Sequence, residues 1–192
     1  MTLGPDGKAR IIHKPGERHC PDCTQEWIEP QEKHKKRLYA WAAVGYNFIS
    51  DLIFYEVPAS TNERISQQIY RDRILEGQVK RWLEAGHSFI LEEDGDSGYS
   101  YKRCRAWKQA HGLRYQFNTQ GSPDLSPIEN AWRIPKQHIQ QQTDWDVEDL
   151  KALAIEAWQE LQAHPERVNG WVDSMPQRMK DVVELEGRIT GW

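Results

Sequence analysis

The sequence predicts an α/β protein: a mixed β-sheet flanked by helices, closed by a helical C-terminal tail. Three observations predict it. Short apolar runs of strand length fall in the first two thirds of the chain, helical patterns are interleaved with them, and from Ser126 onward the pattern is helical. The 192 residues fit one domain, with a sheet-containing core over about residues 1–142 and the tail over about 143–192. Nine Trp and seven Tyr supply large surfaces for a core. Trp41, Trp82, Trp107, Trp132 and Trp158 sit among apolar spacing and read as core residues.

Gly4-Pro5-Asp6-Gly7 and Pro15-Gly16 are turn signals around a short strand at Ala9–His13. Residues 38–57 read as two antiparallel strands. The first is nearly all apolar, as a strand buried on both faces should be, and Gly45-Tyr46-Asn47 supplies the turn into a return beginning at Leu52. Ser60 and Glu63 have capping-box spacing ahead of a helix running to about Ala85 and closed by Gly86. Ile65, Ile69, Leu75, Val79, Trp82 and Leu83 form its apolar stripe. A strand at His87–Leu91 runs into Glu92-Glu93-Asp94. A helix over 101–111 ends at Gly112, and Leu113–Phe117 is a last short strand. In the tail, Leu150, Leu153, Ala154, Ala157, Trp158 and Leu161 follow the helical period, so 146–162 is a helix. Pro165 and Pro176 each open a short helix beyond it.

Charge and cysteine usage exclude several classes. Twenty-five Lys and Arg against 29 Asp and Glu give a net charge of −4, which rules out a polybasic nucleic-acid wrapper. The basic run Lys33–Arg37 reads as a solvated strand entry. The uncharged stretch Leu38–Ser50 is thirteen residues, short of the roughly 20 that a membrane span needs, and the first ten residues carry no signal-peptide pattern. Three cysteines without a secretion signal point to a reducing intracellular compartment. Cys20 and Cys23 have metal-ligand spacing, with His13, His19 and His34 nearby. No second pair completes a zinc site, so the pair reads as structural or incidental.

Two elements carry candidate chemistry. Glu92, Glu93, Asp94 and Asp96 crowd a strand end before Gly95 and Gly98. Such carboxylates repel one another, and hard cations relieve the repulsion. The second is Ser122-Pro123-Asp124-Leu125-Ser126-Pro127-Ile128-Glu129-Asn130, leading into a helix. Ser126 and Glu129 have capping-box spacing with Pro127 in the first turn, so Glu129 reads either as a cap or as a catalytic acid.

Thirty-four residues lie between Asp94 and Glu129. SPDLSPIENAW resembles the signature around the third acid of mariner-type transposases (the Tc/mariner superfamily, with a DDE catalytic core), and LEEDGDSG resembles the segment of their second acid. The resemblance runs on through WAAVGYN, IYRDRILEGQVKRWLE, VNGWVDSMPQRMKDVVE and GRITGW, in family order and closest to the fungal type. It implies an RNase H-like fold in which Asp94 and Glu129 hold two Mg2+ or Mn2+ ions, Asp94 bridging both. The implied reaction is strand cleavage at transposon ends and transfer into target DNA, in the nucleus, by a homodimer.

The family's first Asp belongs to a strand before the segment that opens this chain, so the resemblance implies an N-terminally truncated domain, inactive as this fragment. Asp6 has near-family spacing to Asp94 but sits in a turn, and Tyr99 stands where the family has a His. The family's N-terminal helix-turn-helix DNA-binding region has no counterpart here. Two other readings stay open: a noncatalytic protein derived from this fold that binds nucleic acid or a partner, and a nuclease using Asp6, Glu92 or Glu93 as a substitute acid.

Overall fold

The structure, a computed structural model, describes residues 2–3, 38–57, 65–94, 101–119, 121–140, 146–188, 190 and 192. Outside these lie the turns at Gly4–Gly7 and Pro15–Gly16, the strand Ala9–His13, Asp6, Cys20, Cys23, the 33–37 basic run, the Ser60–Glu63 capping box, Asp96 and Tyr99.

Strand β2 (Leu38–Trp41) is the hub of the N-terminal part. It pairs antiparallel with β1 (Thr2–Leu3), Thr2 opposite Tyr39, and with β5 (Ile53–Tyr55), Ala40 opposite Phe54. The sequence predicts two strands between 38 and 57, whereas four of the described strands lie there. A small hairpin of β3 (Val44–Gly45) and β4 (Phe48–Ile49) is inserted between β2 and β5, turning at Tyr46-Asn47 with Asn47 at φ 53°. Ser50 pinches its base: the Ser50 N–H donates to the Ala43 carbonyl (2.9 Å) and its Oγ accepts the Ala43 N–H (2.8 Å). Such local bonds divert the chain from one long ladder.

The next helix, α1, comprises α-helical Gln67–Ile69, π-helical Tyr70–Val79 and α-helical Lys80–Glu84. Its cap is Ser66, whose Oγ accepts the Ile69 N–H at 3.2 Å. Gly86 closes it at φ 82°, in the left-handed region that only Gly enters at no steric cost. The π-helical stretch widens the period, so Tyr70 and Ile74, outside the predicted stripe, are fully buried beside Leu75 and Val79.

Strand β6 (Ile90–Glu93) pairs parallel with β7 (Arg114–Phe117), the two joined through helix α2 (Lys102–Ala110). The strand predicted at 87–91 therefore begins three residues later, ends two later and takes in Glu92 and Glu93. Among the described residues the ladders form three separate sheets, β1-β2-β5, β3-β4 and β6-β7, where the sequence predicts one mixed sheet. The helical half is α3 (Pro127–Gln140), α4 (Val147–Ala163), α5 (Pro165–Asp173) and α6 (Met175–Glu184). Asp146 and Asp149 form a reciprocal capping box on α4, while Pro165 and Pro176 sit in the first turns of α5 and α6. No helix among the described residues is long and apolar enough to cross a membrane.

Strand alternation explains the near-continuous apolar run of β2. Leu38 and Ala40 enter a core with Trp132, Ile139, Leu150, Trp158 and Val168, while Tyr39 and Trp41 pack against a second core around Tyr70, Leu75, Leu91 and Trp107. Trp158 ties the first core to the hairpin base. It is 2% exposed, packs on Trp132 at 5.1 Å between ring centroids, and its Nε1 donates to the Ser50 carbonyl at 2.7 Å. Removing that side chain leaves a large cavity and takes one of two donors from the Ser50 carbonyl, which Gln162 Nε2 also reaches at 3.2 Å. Trp158→Ala should therefore lower unfolding stability by about 3–5 kcal/mol in a denaturant titration, and a loss below about 1 kcal/mol would contradict this packing.

Candidate active site

The parity of β6 sorts the acidic cluster. Leu91 and Glu93 turn inward and are buried, whereas Ile90, Glu92 and Asp94 are exposed. Glu92 accepts a hydrogen bond from Gln116 Nε2 on β7 (3.0 Å). The crowded, exposed cluster predicted from the sequence is thus corrected at Glu93, which belongs to the interior. There its Oε1 accepts from the Tyr70 hydroxyl and its Oε2 pairs with Lys108 Nζ.

Lys108, on α2, has a fully buried side chain, with its ammonium 4.5 Å from the Tyr115 ring centroid and 5.5 Å from those of Tyr70 and Phe117. The rings present negative faces to the cation. Burial pushes the Glu93 carboxyl above its ordinary range and the Lys108 ammonium below its own, and the charge of each opposes the shift of the other. The Glu93 backbone is held as well, its carbonyl accepting the Asn118 N–H at 2.7 Å.

Glu129 lies exposed in the first turn of α3, where the positive end of the helix favours a carboxylate. Its N–H donates to the Ser126 carbonyl (3.1 Å), and the Ser126 N–H donates to Pro123 O (3.2 Å) within the 3₁₀ turn Pro123–Leu125. The donor that a capping-box carboxylate would reach for is already engaged. Among the described residues no hydrogen bond or ion pair is made to the Glu129 carboxylate.

The turn ahead of Glu129 is clasped from the C-terminal end. Arg178 on α6 is 1% exposed and donates to the Asp124 carbonyl (2.8 Å), Asn130 Oδ1 (2.9 Å) and Ser174 Oγ (2.8 Å). Asp124 Oδ2 accepts from Thr190 Oγ1 (2.6 Å) and the Thr190 N–H (3.2 Å), bonds that hold its carboxyl below the usual range.

Asp94 and Glu129 line one cleft of about 880 Å3, bordered by Ala40–Gly45, the end of β6, residues 118–119, 121–123 and 126–129, and the apolar side chains Val172, Met175 and Met179. Lys136 also lines it, seven residues and so two turns beyond Glu129 on the same helix. Sequence reasoning passed over Lys136, although helical spacing from Glu129 was the signal that could have found it. Two exposed carboxylates on one cleft match Mg2+ or Mn2+ in donor type, since hard cations take oxygen ligands. They supply two donors: among the described residues no group of three or more His, Cys, Asp or Glu is placed to hold one ion.

The fold is similar to that of the crystal structure of the catalytic domain of Mos1 mariner transposase, with a TM-score of 0.63 and 15% identity over 81% of this chain and 76% of that one. The same catalytic domain with raltegravir and magnesium gives a TM-score of 0.62 at 13% identity, over 80% and 77% of the two chains. A pre-cleavage Mos1 transpososome matches 99% of this chain at a TM-score of 0.65 and 15% identity. The match spans 55% of the transposase chain in that complex. The shared property is the fold. No protein-family model matches the chain, and no curated relative does.

Asp124→Ala should release the C-terminal segment, raising hydrogen exchange at the Thr190 amide by roughly tenfold or more at neutral pH. Because the Asp124 carboxyl is held below its ordinary value of about 3.9, this docking is complete above that value. It weakens as pH falls through the lowered one. Unchanged exchange in the variant would contradict the clasp.

Proposed function

We propose that the chain is the catalytic-domain portion of a DDE-type, mariner-like transposase of fungal type. Asp94 and Glu129 are then two of the carboxylates that hold Mg2+ or Mn2+ for DNA strand cleavage and transfer. The observation that carries this reading is the convergence of Asp94, at the end of a parallel strand, and Glu129, at a helix start, on one cleft of a transposase-like fold.

Bound divalent ions would supply activation of the attacking oxygen and charge stabilisation at the leaving oxygen of a phosphodiester. The chain's own residues do the rest. Asp94 sits one peptide beyond a residue held at both its carbonyl and its side chain, so the strand end offers a fixed carboxylate. Glu129 is presented by a turn that the Arg178 clasp orders. Lys136 places a positive charge on the same cleft, suited to a phosphate oxygen that the two carboxylates alone would repel. The partners are transposon-end and target DNA, engaged by a homodimer in the nucleus.

With two carboxylates in the described cleft, we expect the chain by itself to bind DNA without turnover. Fluorescence anisotropy on duplex DNA should show Mn2+ tightening binding about tenfold, and either Asp94→Ala or Glu129→Ala should remove that gain. Lys136→Glu should weaken binding with or without metal and flatten the salt dependence by about one unit of slope. DNA binding indifferent to Mn2+ would favour the noncatalytic binding protein, and a metal gain that survives both alanine variants would overturn the site. Mn2+-dependent plasmid nicking lost in Asp94→Ala would favour the nuclease reading.

A further inference from the structure

The buried Glu93–Lys108 pair fixes the end of β6, and its surroundings point to a role beyond cohesion. Ion pairs taken out of water are poor stabilisers, because the desolvation cost of two charges offsets their attraction. Apolar side chains of similar volume often serve stability as well or better. What such a pair does supply is directional fixation. Both Glu93 carboxylate oxygens are engaged, one by Lys108 and one by the Tyr70 hydroxyl. Lys108 is enclosed by the Tyr70, Tyr115 and Phe117 rings.

Four elements therefore meet at the Lys108 side chain: α2 carries it, α1 brings Tyr70, β7 brings the two rings, and β6 brings Glu93. The Glu93 carbonyl is tied in turn to the Asn118 N–H at 2.7 Å, just beyond β7. The following residue is Asp94, exposed and lining the cleft. With the side chain and carbonyl of residue 93 both held, little freedom remains in where the next Cα can lie.

We propose that Glu93, Lys108 and Tyr70 are positioning residues for the Asp94 carboxylate, a buried brace that sets the geometry with which Asp94 holds a divalent cation. The proposal rests on the reading of Asp94 as a metal ligand. It separates two properties that a merely structural cluster would tie together. Replacing the pair by apolar side chains should preserve stability and loosen the metal site.

The test is Mn2+ affinity, read from the electron paramagnetic resonance signal of free Mn2+, alongside the melting temperature. It uses the full chain and its Glu93→Leu/Lys108→Met and Asp94→Asn variants. The double variant should melt at or above the wild-type temperature while Mn2+ binds about tenfold more weakly, and Asp94→Asn should abolish most of the binding. Weakened affinity in Asp94→Asn with unchanged affinity in the double variant would overturn the brace. Unchanged affinity in Asp94→Asn would instead overturn the reading of Asp94 on which the brace depends. If the double variant does not fold, Tyr70→Phe keeps the ring and removes one of the two bonds to Glu93. It should weaken Mn2+ binding about threefold, and an unchanged affinity in that variant would equally overturn the brace.

Discussion

A β-strand sends successive side chains to opposite faces, and the character of the cleft depends on how that alternation falls at the end of β6. Leu91 and Glu93 face inward and Asp94 lies exposed at the cleft. A shift of one residue would put Asp94 in the place of Glu93 and Glu92 in that of Leu91, among the apolar side chains of the second core. Burying an unpartnered carboxylate there is costly enough to exclude that register. The Glu93–Lys108 pair adds to that lock on parity, with the Tyr70 hydroxyl and the Asn118 N–H as its further fasteners.

The helical half serves the second carboxylate in a comparable way. Trp158 and Gln162 on α4 both donate to the Ser50 carbonyl, and Asn169 on α5 exchanges two hydrogen bonds with Asn47 at the tip of the small hairpin. These contacts hold the helices against the strand segment that borders the cleft. Arg178 then reaches from α6 to the turn before α3, so Glu129 is presented by a loop clamped from behind. Each carboxylate is exposed, and beside each a buried cation engages the adjoining residue: Lys108 the Glu93 carboxylate before Asp94, and Arg178 the Asn130 side chain after Glu129.

What the sequence made legible was local. The α4 helix with its period, the first-turn prolines Pro165 and Pro176, and the closing glycines Gly86 and Gly112 depend on residues a few positions apart, and they stand where predicted. The small β3–β4 hairpin was missed because it rests on Ser50 bonds to Ala43 and on helices more than a hundred residues away. Tyr70 was missed because a π-helical stretch breaks the expected spacing. Three adjacent acids look alike as letters. That Glu93 is interior follows only from Lys108 and Tyr70, 15 and 23 residues distant. For Glu129, local spacing taken by itself favoured a cap over an acid. Its spacing from Asp94, read through the family resemblance, argued for the acid, and the engaged Ser126 N–H removes the capping alternative's partner.

The central claim is that Asp94 and Glu129 serve one divalent cation site in this cleft. Crystals of the chain soaked in Mn2+ and measured at the manganese absorption edge test it most directly. The account predicts an anomalous peak within coordinating distance of both carboxylates, about 2.0–2.3 Å from oxygen. Manganese bound elsewhere on the chain, with the Asp94–Glu129 cleft showing no peak, would contradict it.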